Sequence, residues 1–222
     1  IGIGQPLTID YTVKNLGPAA TPANSSWTDR VYLSGDDILD ASDIPLNSKE
    51  IERVLGPGET YGESLGLTLP PVVEGAHYLI ISANDDWDLV ELHRLNNERP
   101  ESVNVLVPQL EDGVAFVGSH GLGSAEQYFR VASVGGKHLL VNFDRIDPNL
   151  DVYIRFGELP TRGQFDYRLS ESSLVIPAAA SGDWYFMVYG DQLSLEGNFS
   201  LKVTQVDVAV TGGSPNLADS DS

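Results

Sequence analysis

Four carboxylates fall within eight residues, Asp36, Asp37, Asp40 and Asp43, in the stretch GDDILDASD. Carboxylates next to backbone carbonyls are the ligands a hard, oxygen-seeking cation such as calcium takes. The spacing is not the regular pattern of an EF-hand loop. Aspartate also favours turns without any metal, because its side chain accepts from nearby backbone amides. The loop is therefore either a calcium site, joined by Glu74 from the turn before Gly75, or a self-capped turn. A second acidic group comprises Asp85, Asp86, Asp88 and Glu91, with Asn96 and Asn97 nearby. In a third, Asp144, Asp147, Asn149 and Asp151 flank a DPN turn. Each carries the same two readings.

Nucleophilic chemistry finds less support, and no catalytic residue is assigned. GESLG at 62–66 fits the string of a serine-hydrolase elbow, but that motif needs a strand, a sharp turn and a helix to expose the serine. Ser64 instead falls within an alternating run, with no helix pattern after it. His77, His93, His120 and His138 show no metal spacing and are expected at surface or edge positions. VGGK at 134–137 lacks the rest of a phosphate loop. There is no cysteine, which removes thiolate zinc sites, cysteine nucleophiles and disulfides. The expectation is a protein that is not an enzyme.

The elements that must carry these residues are strands. Apolar residues alternate with period two at Leu7, Ile9, Tyr11 and Val13, at Leu65, Leu67 and Leu69, and at Val103, Val105 and Val107. Tyr78 to Ile81 is continuously apolar, as in a strand buried on both faces. Trp27, at the start of WTDRVYLS, is expected in a core. After Pro108 a second set begins: Phe129 and Val131; Leu139, Val141 and Phe143; Val152, Ile154 and Phe156; Trp184, Phe186 and Val188; Phe199, Leu201 and Val203. Gly135 and Gly136 suggest a tight hairpin. The pattern predicts an all-β chain with two β-sandwich domains in tandem, 1–108 and 109–207, then an acidic tail, 208–222. Within the first domain, strands 27–34 and 75–84 should run antiparallel. The loops following them then lie at opposite ends, roughly 25 Å apart, so the first two acidic groups are separate places. Tyr153, Tyr185 and Tyr189 take the opposite parity to their apolar neighbours. They either line an outer face, where aromatics stack on sugars or peptides, or form cross-strand pairs that stabilise the sheet.

Thirty-two acidic against 13 basic residues give a formal net charge of −19. That repels a phosphate backbone and an anionic membrane surface alike, so no nucleic acid is expected as a partner. No apolar run approaches the length of a membrane helix, and no membrane insertion is expected. The chain opens on Ile1 and reads as a piece of something longer.

In the first half, YTVKNLGPAAT (11–21), WTDRVYLSGDD (27–37), LGPGETY (55–61), GAHYLIISAN (75–84) and VELHRLNNE (90–98) resemble the CARDB family, the cell adhesion related domain found in bacteria. In the second, QYFRV (127–131), LDVYIRFGELPTRGQFDYR (150–168), SGDWYFMVYG (181–190) and NFSLKV (198–203) resemble the bacterial pre-peptidase C-terminal (PPC) domain. Tyr167 stands where many relatives have cysteine, and the segment after Gly190 lacks the usual aromatic-glycine pairs. The first resemblance implies an immunoglobulin-like sandwich whose usual first strand is missing, and the second a jelly-roll-type sandwich. The tail VAVTGGSPNLADSDS looks like the opening of a further repeat. Together they imply a non-catalytic spacer or adhesion segment of a large secreted or cell-surface bacterial protein, whose partners are neighbouring domains of the same chain. The alternative they imply is an accessory module that binds an extracellular polysaccharide or protein, with calcium as a possible cofactor.

Overall fold

The computed structural model describes residues 1–91 and 93–207. The tail read as the opening of another repeat lies outside the described residues. Among the described residues there are fourteen strands and no helix, hence none long and apolar enough to cross a membrane. The all-β expectation holds. Two compact units divide between Pro108 and Gln109.

In the first unit, β1 (Pro6–Lys14) pairs with β4 (Thr60–Thr68). A second sheet has the order β3-β2-β5-β6, formed by Ile44–Glu52, Ser26–Ser34, Gly75–Ser82 and Glu98–Val105, with every pairing antiparallel. The register sets Leu7 opposite Leu67 and Ile9 opposite Leu65, which gathers the alternating apolar residues of β1 and β4 on one face. Across the core from that face, Trp27 meets the Tyr61 ring edge-on at 5.9 Å. Trp27, Val31 and Leu33 are buried. Residues 1–4 close the unit: Gly2 bridges to Leu106 and Ile3 to Leu69, with Ile3 fully buried. Burial on both faces of β5 is confined to its middle, where Leu79 and Ile80 are buried while Tyr78 and Ile81 are half-buried.

Glu63 takes the inward parity of Tyr61 and Leu65, yet it is an acid. It survives there because Lys49 and Arg53, from and just after β3, reach it at 2.5 and 2.7 Å. The Lys49 ammonium, with Arg53 behind it, holds its carboxyl below the usual carboxylate range.

The second unit holds two four-stranded sheets. One has the order β11-β10-β13-β8, from Tyr167–Leu169, Asp151–Phe156, Gly182–Leu193 and Gly123–Ser133. The other has the order β12-β9-β14-β7, from Ser173–Ile176, His138–Arg145, Gly197–Val206 and Ala115–His120. Successive strands mostly switch sheets, so the hairpin expected at Gly135 and Gly136 is not one. The φ values of 84° and 73° there turn the chain from β8 in one sheet to β9 in the other. Glycine signals the turn but not which sheet the chain enters next. Between the sheets Phe129, Phe143 and Phe199 form an aromatic cluster with Phe116; Phe116 and Phe129 lie 4.6 Å apart, and Phe143 and Phe199 6.0 Å.

Candidate functional site

Strand alternation puts Val152 and Ile154 of β10, and Phe186 and Val188 of β13, into the core. Asp151, Tyr153, Tyr185 and Tyr189 therefore share the outer face, with Asp151 opposite Tyr189 and Tyr153 opposite Met187. On β11, Arg168 lies opposite Tyr153 on that same face. The β10–β11 connection folds back over it. A turn at Thr161–Gln164, bonded in both directions between the two backbones, presents Arg162. Phe165 then meets the Tyr153 ring edge-on at 5.2 Å.

These side chains enclose a cleft of about 350 Å³, lined by Asp151, Tyr153, Arg162, Arg168, Tyr189 and Asp191, with Pro148, Asn149 and Ser170 completing it. Arg168 donates to Asp151 Oδ2 from Nε at 3.1 Å and Nη2 at 2.5 Å, with its guanidinium 5.5 Å from the Tyr153 ring centre. Arg162 repeats the pattern: Nη1 donates to the Tyr189 hydroxyl at 3.2 Å and lies 3.3 Å from Asp191 Oδ2, with the guanidinium 4.9 Å from the Tyr189 ring centre. The Tyr153 and Tyr189 rings meet edge to face at 6.2 Å. Of the three tyrosines singled out in sequence, Tyr153 and Tyr189 converge here and Tyr185 does not line the cleft. Tyr153 is only 6% exposed, so it is no open stacking platform. It is covered because a ten-residue connection, invisible to strand parity, lies across it.

The acidic groups are dispersed. Asp36 Oδ1 accepts from Ile38 N, Asp40 Oδ1 from Ser42 N and Oγ, and Asp43 Oδ2 from Asp40 N, so these carboxylates cap their own loop. Asp37 is exposed in that loop. The Ser42 hydroxyl and amide hold the Asp40 carboxyl below its ordinary range. Glu74 accepts from Val107 N at 2.7 Å. At the other end of β2, Asp85 takes the Tyr32 hydroxyl and the Arg30 guanidinium, which also approaches Asp86 at 3.6 Å. Glu91 Oε1 accepts from the amides of Asn84 and Asn97, Asn96 is exposed, and Asp88 is exposed. The two groups do lie at opposite ends, since Ser34 pairs with Tyr78 while Asp85 N donates to Thr28 O.

In the third group, Asp144 is exposed on β9 and Asp147 is fully buried. Asp147 accepts from the amides of Asn149, Ser194 and Leu195, which hold its carboxyl below the ordinary range. Asn149 and Asp151 line the cleft. Among the described residues no group of three or more His, Asp or Glu side chains is placed to hold a metal ion.

Ser64 lies within β4 and its hydroxyl donates to Asp10 Oδ1, with no helix following. Of the histidines, His93 is exposed, His77 and His138 are half-buried, and His120 is buried on β7, an edge strand. Lys137 lies 3.5 Å from Asp207.

Sequence reasoning passed over two features. One is the arginine pair of the cleft, with Asp191. The other is Asp29, fully buried, whose Oδ2 accepts from the Tyr61 and Tyr11 hydroxyls at 2.6 and 3.0 Å and whose Oδ1 accepts from Asn84 N at 3.2 Å. Its signal was its parity: Asp29 alternates with Trp27, Val31 and Leu33 on the buried face of β2. Arg162 leaves no such signal, because its position depends on how a long connection folds.

The chain matches no protein-family model and no curated protein. Among solved structures it is similar to a secreted serine protease of Vibrio cholerae (12% identity over 93% of this chain and 49% of that one, TM-score 0.29). It is similar to a periplasmic lysozyme inhibitor of g-type lysozyme from Aeromonas hydrophila (15%, 45% and 95%, TM-score 0.38). It is also similar to a CARDB domain of Pyrococcus furiosus in complex with di-metal ions (24%, 48% and 78%, TM-score 0.36), a member of the family that the residues of the first half resemble.

Proposed function

We propose that this chain is a non-catalytic segment of a large secreted or surface-displayed bacterial protein. It acts as a spacer and adhesion module, with a CARDB-like first unit and a PPC-like second unit that holds an extracellular polysaccharide or protein. The observation that carries this reading is the cleft, where two tyrosines, two arginines and two aspartates from three strands and a folded-back connection converge. A concave site with a few convergent polar groups is the usual form of a binding site. The test is retention of the chain on a panel of insoluble polysaccharides and on collagen. Retention on at least one solid, released by Tyr189→Ala, is the expected result. If every solid fails to retain it, the chain is a spacer alone.

This reading does not require calcium at the aspartate loops. Because Asp36, Asp40 and Asp43 already cap backbone amides, millimolar calcium or a chelator is expected to leave the melting temperature unchanged. A melting temperature that rises with calcium and falls with chelator would reassign the Asp36–Asp43 loop as a calcium site.

A further inference from the structure

We infer that the cleft recognises a neutral, polyhydroxylated ligand, one or two sugar residues of an uncharged glycan, rather than an anionic or cationic one. This rests on the proposed role of the cleft in binding. Each guanidinium in it already faces its own carboxylate, Arg168 with Asp151 and Arg162 with Asp191, so the lining is charge-balanced. A ligand carboxylate, sulfate or phosphate would find no uncompensated positive charge here, on a chain of formal net charge −19. A cationic ligand would meet two arginines. A neutral sugar meets neither penalty.

A guanidinium carries five N–H donors and a carboxylate about four acceptor sites, and each pair here uses only some of them. Those remaining donors and acceptors are the kind of groups that neighbouring hydroxyls of a sugar ring can match. Sugar hydroxyls exchange for water at such groups with like hydrogen bonds. Tyr189, half-buried, adds ring surface for the C–H face of a sugar. At about 350 Å³ the cleft sits near the small end of ligand pockets, suited to a short stretch of chain.

The test is calorimetric titration of the whole chain with soluble oligosaccharides: neutral cello-, manno- and chito-oligosaccharides, anionic oligogalacturonate, and cationic chitosan oligomers. At least one neutral oligosaccharide is expected to bind with affinity unchanged from low to high salt. Arg162→Ala, on an exposed connection where folding is not at risk, is expected to weaken it about tenfold, as is Tyr189→Leu. Asp191→Asn, which leaves one guanidinium unbalanced, is expected to create salt-sensitive binding of oligogalacturonate. Binding confined to charged oligosaccharides, or falling steeply with salt in the unaltered protein, overturns the inference. So does an absence of binding to every oligosaccharide. Tyr189-dependent retention on collagen alone would sink the sugar assignment while leaving the binding reading in place.

Discussion

Replacing Asp29 with alanine is expected to destabilise the first unit by roughly 3 kcal/mol or more, because three buried donors lose their acceptor together. Those donors are the hydroxyls of Tyr11 and Tyr61 and the amide of Asn84. Trp27 Nε1 in turn donates to the Tyr61 hydroxyl, so the loss spreads to the central tryptophan. Desolvation of the carboxylate works in the other direction. Burial is the larger influence on Asp29 and pushes its carboxyl above the ordinary value, against the lowering effect of the hydrogen bonds from Tyr61, Asn84 and Tyr11. Asp29→Asn keeps an acceptor and removes the charge, so it is expected to cost only about 1 kcal/mol. The folded pKa is raised, so the contribution of this group to stability is fully present below the unfolded value, about 3.9, and is lost as pH rises through the folded value. Urea titrations at several pH values should therefore show a flatter profile above pH 4 for Asp29→Asn than for the parent. An Asp29→Ala variant as stable as the parent, or an unchanged pH profile in Asp29→Asn, would refute this account.

Phe199→Ala in the second unit is expected to cost about 3–5 kcal/mol, the range for emptying a buried phenylalanine site. Phe199 is 2% exposed and touches Phe116, Phe129 and Phe143, so the space cannot collapse without moving three rings. Gly118 on β7 is its complement: a Cβ at that position would run into the Phe199 ring. Gly118→Ala alone is expected to lose about 1–3 kcal/mol by overpacking. Combined with Phe199→Leu, which withdraws the ring, it should cost less than the sum of the two single changes, since residues in contact are not additive. Chemical denaturation of the four proteins closes the cycle, and strict additivity would show that the two sites do not share space.

The β1 and β4 stripes were legible because one buried face per strand imposes period two, and Leu7, Ile9, Leu65 and Leu67 obey it directly. The same rule put Trp27 inside and Tyr153 and Tyr189 on the outer face of their sheet. It also had Asp29 in plain view, at the parity of Trp27 and Val31, where the residue type argued against burial. A buried carboxylate is tolerated only if donors from elsewhere reach it, and Tyr11 and Tyr61 lie on two other strands, at sequence distances that parity cannot relate.

The acidic clusters mark the opposite limit. Proximity in sequence suggested shared ligands, but Asp147 went to the amides of Ser194 and Leu195, nearly fifty residues away, while Asp151 went to Arg168. Gly135 and Gly136 announced a reversal without saying which sheet would receive the chain. By itself, then, the sequence determined most of the strands, with exceptions such as β3, β7 and β12, most of the inward residues, though not the exposed Phe156, and the net acidity, all of them properties of local alternation or simple sums. Only the tertiary structure decided that Arg162 and Arg168 neutralise Asp191 and Asp151 around two tyrosines. That arrangement depends on long-range strand order and on the fold of one connection, for which no local pattern is required.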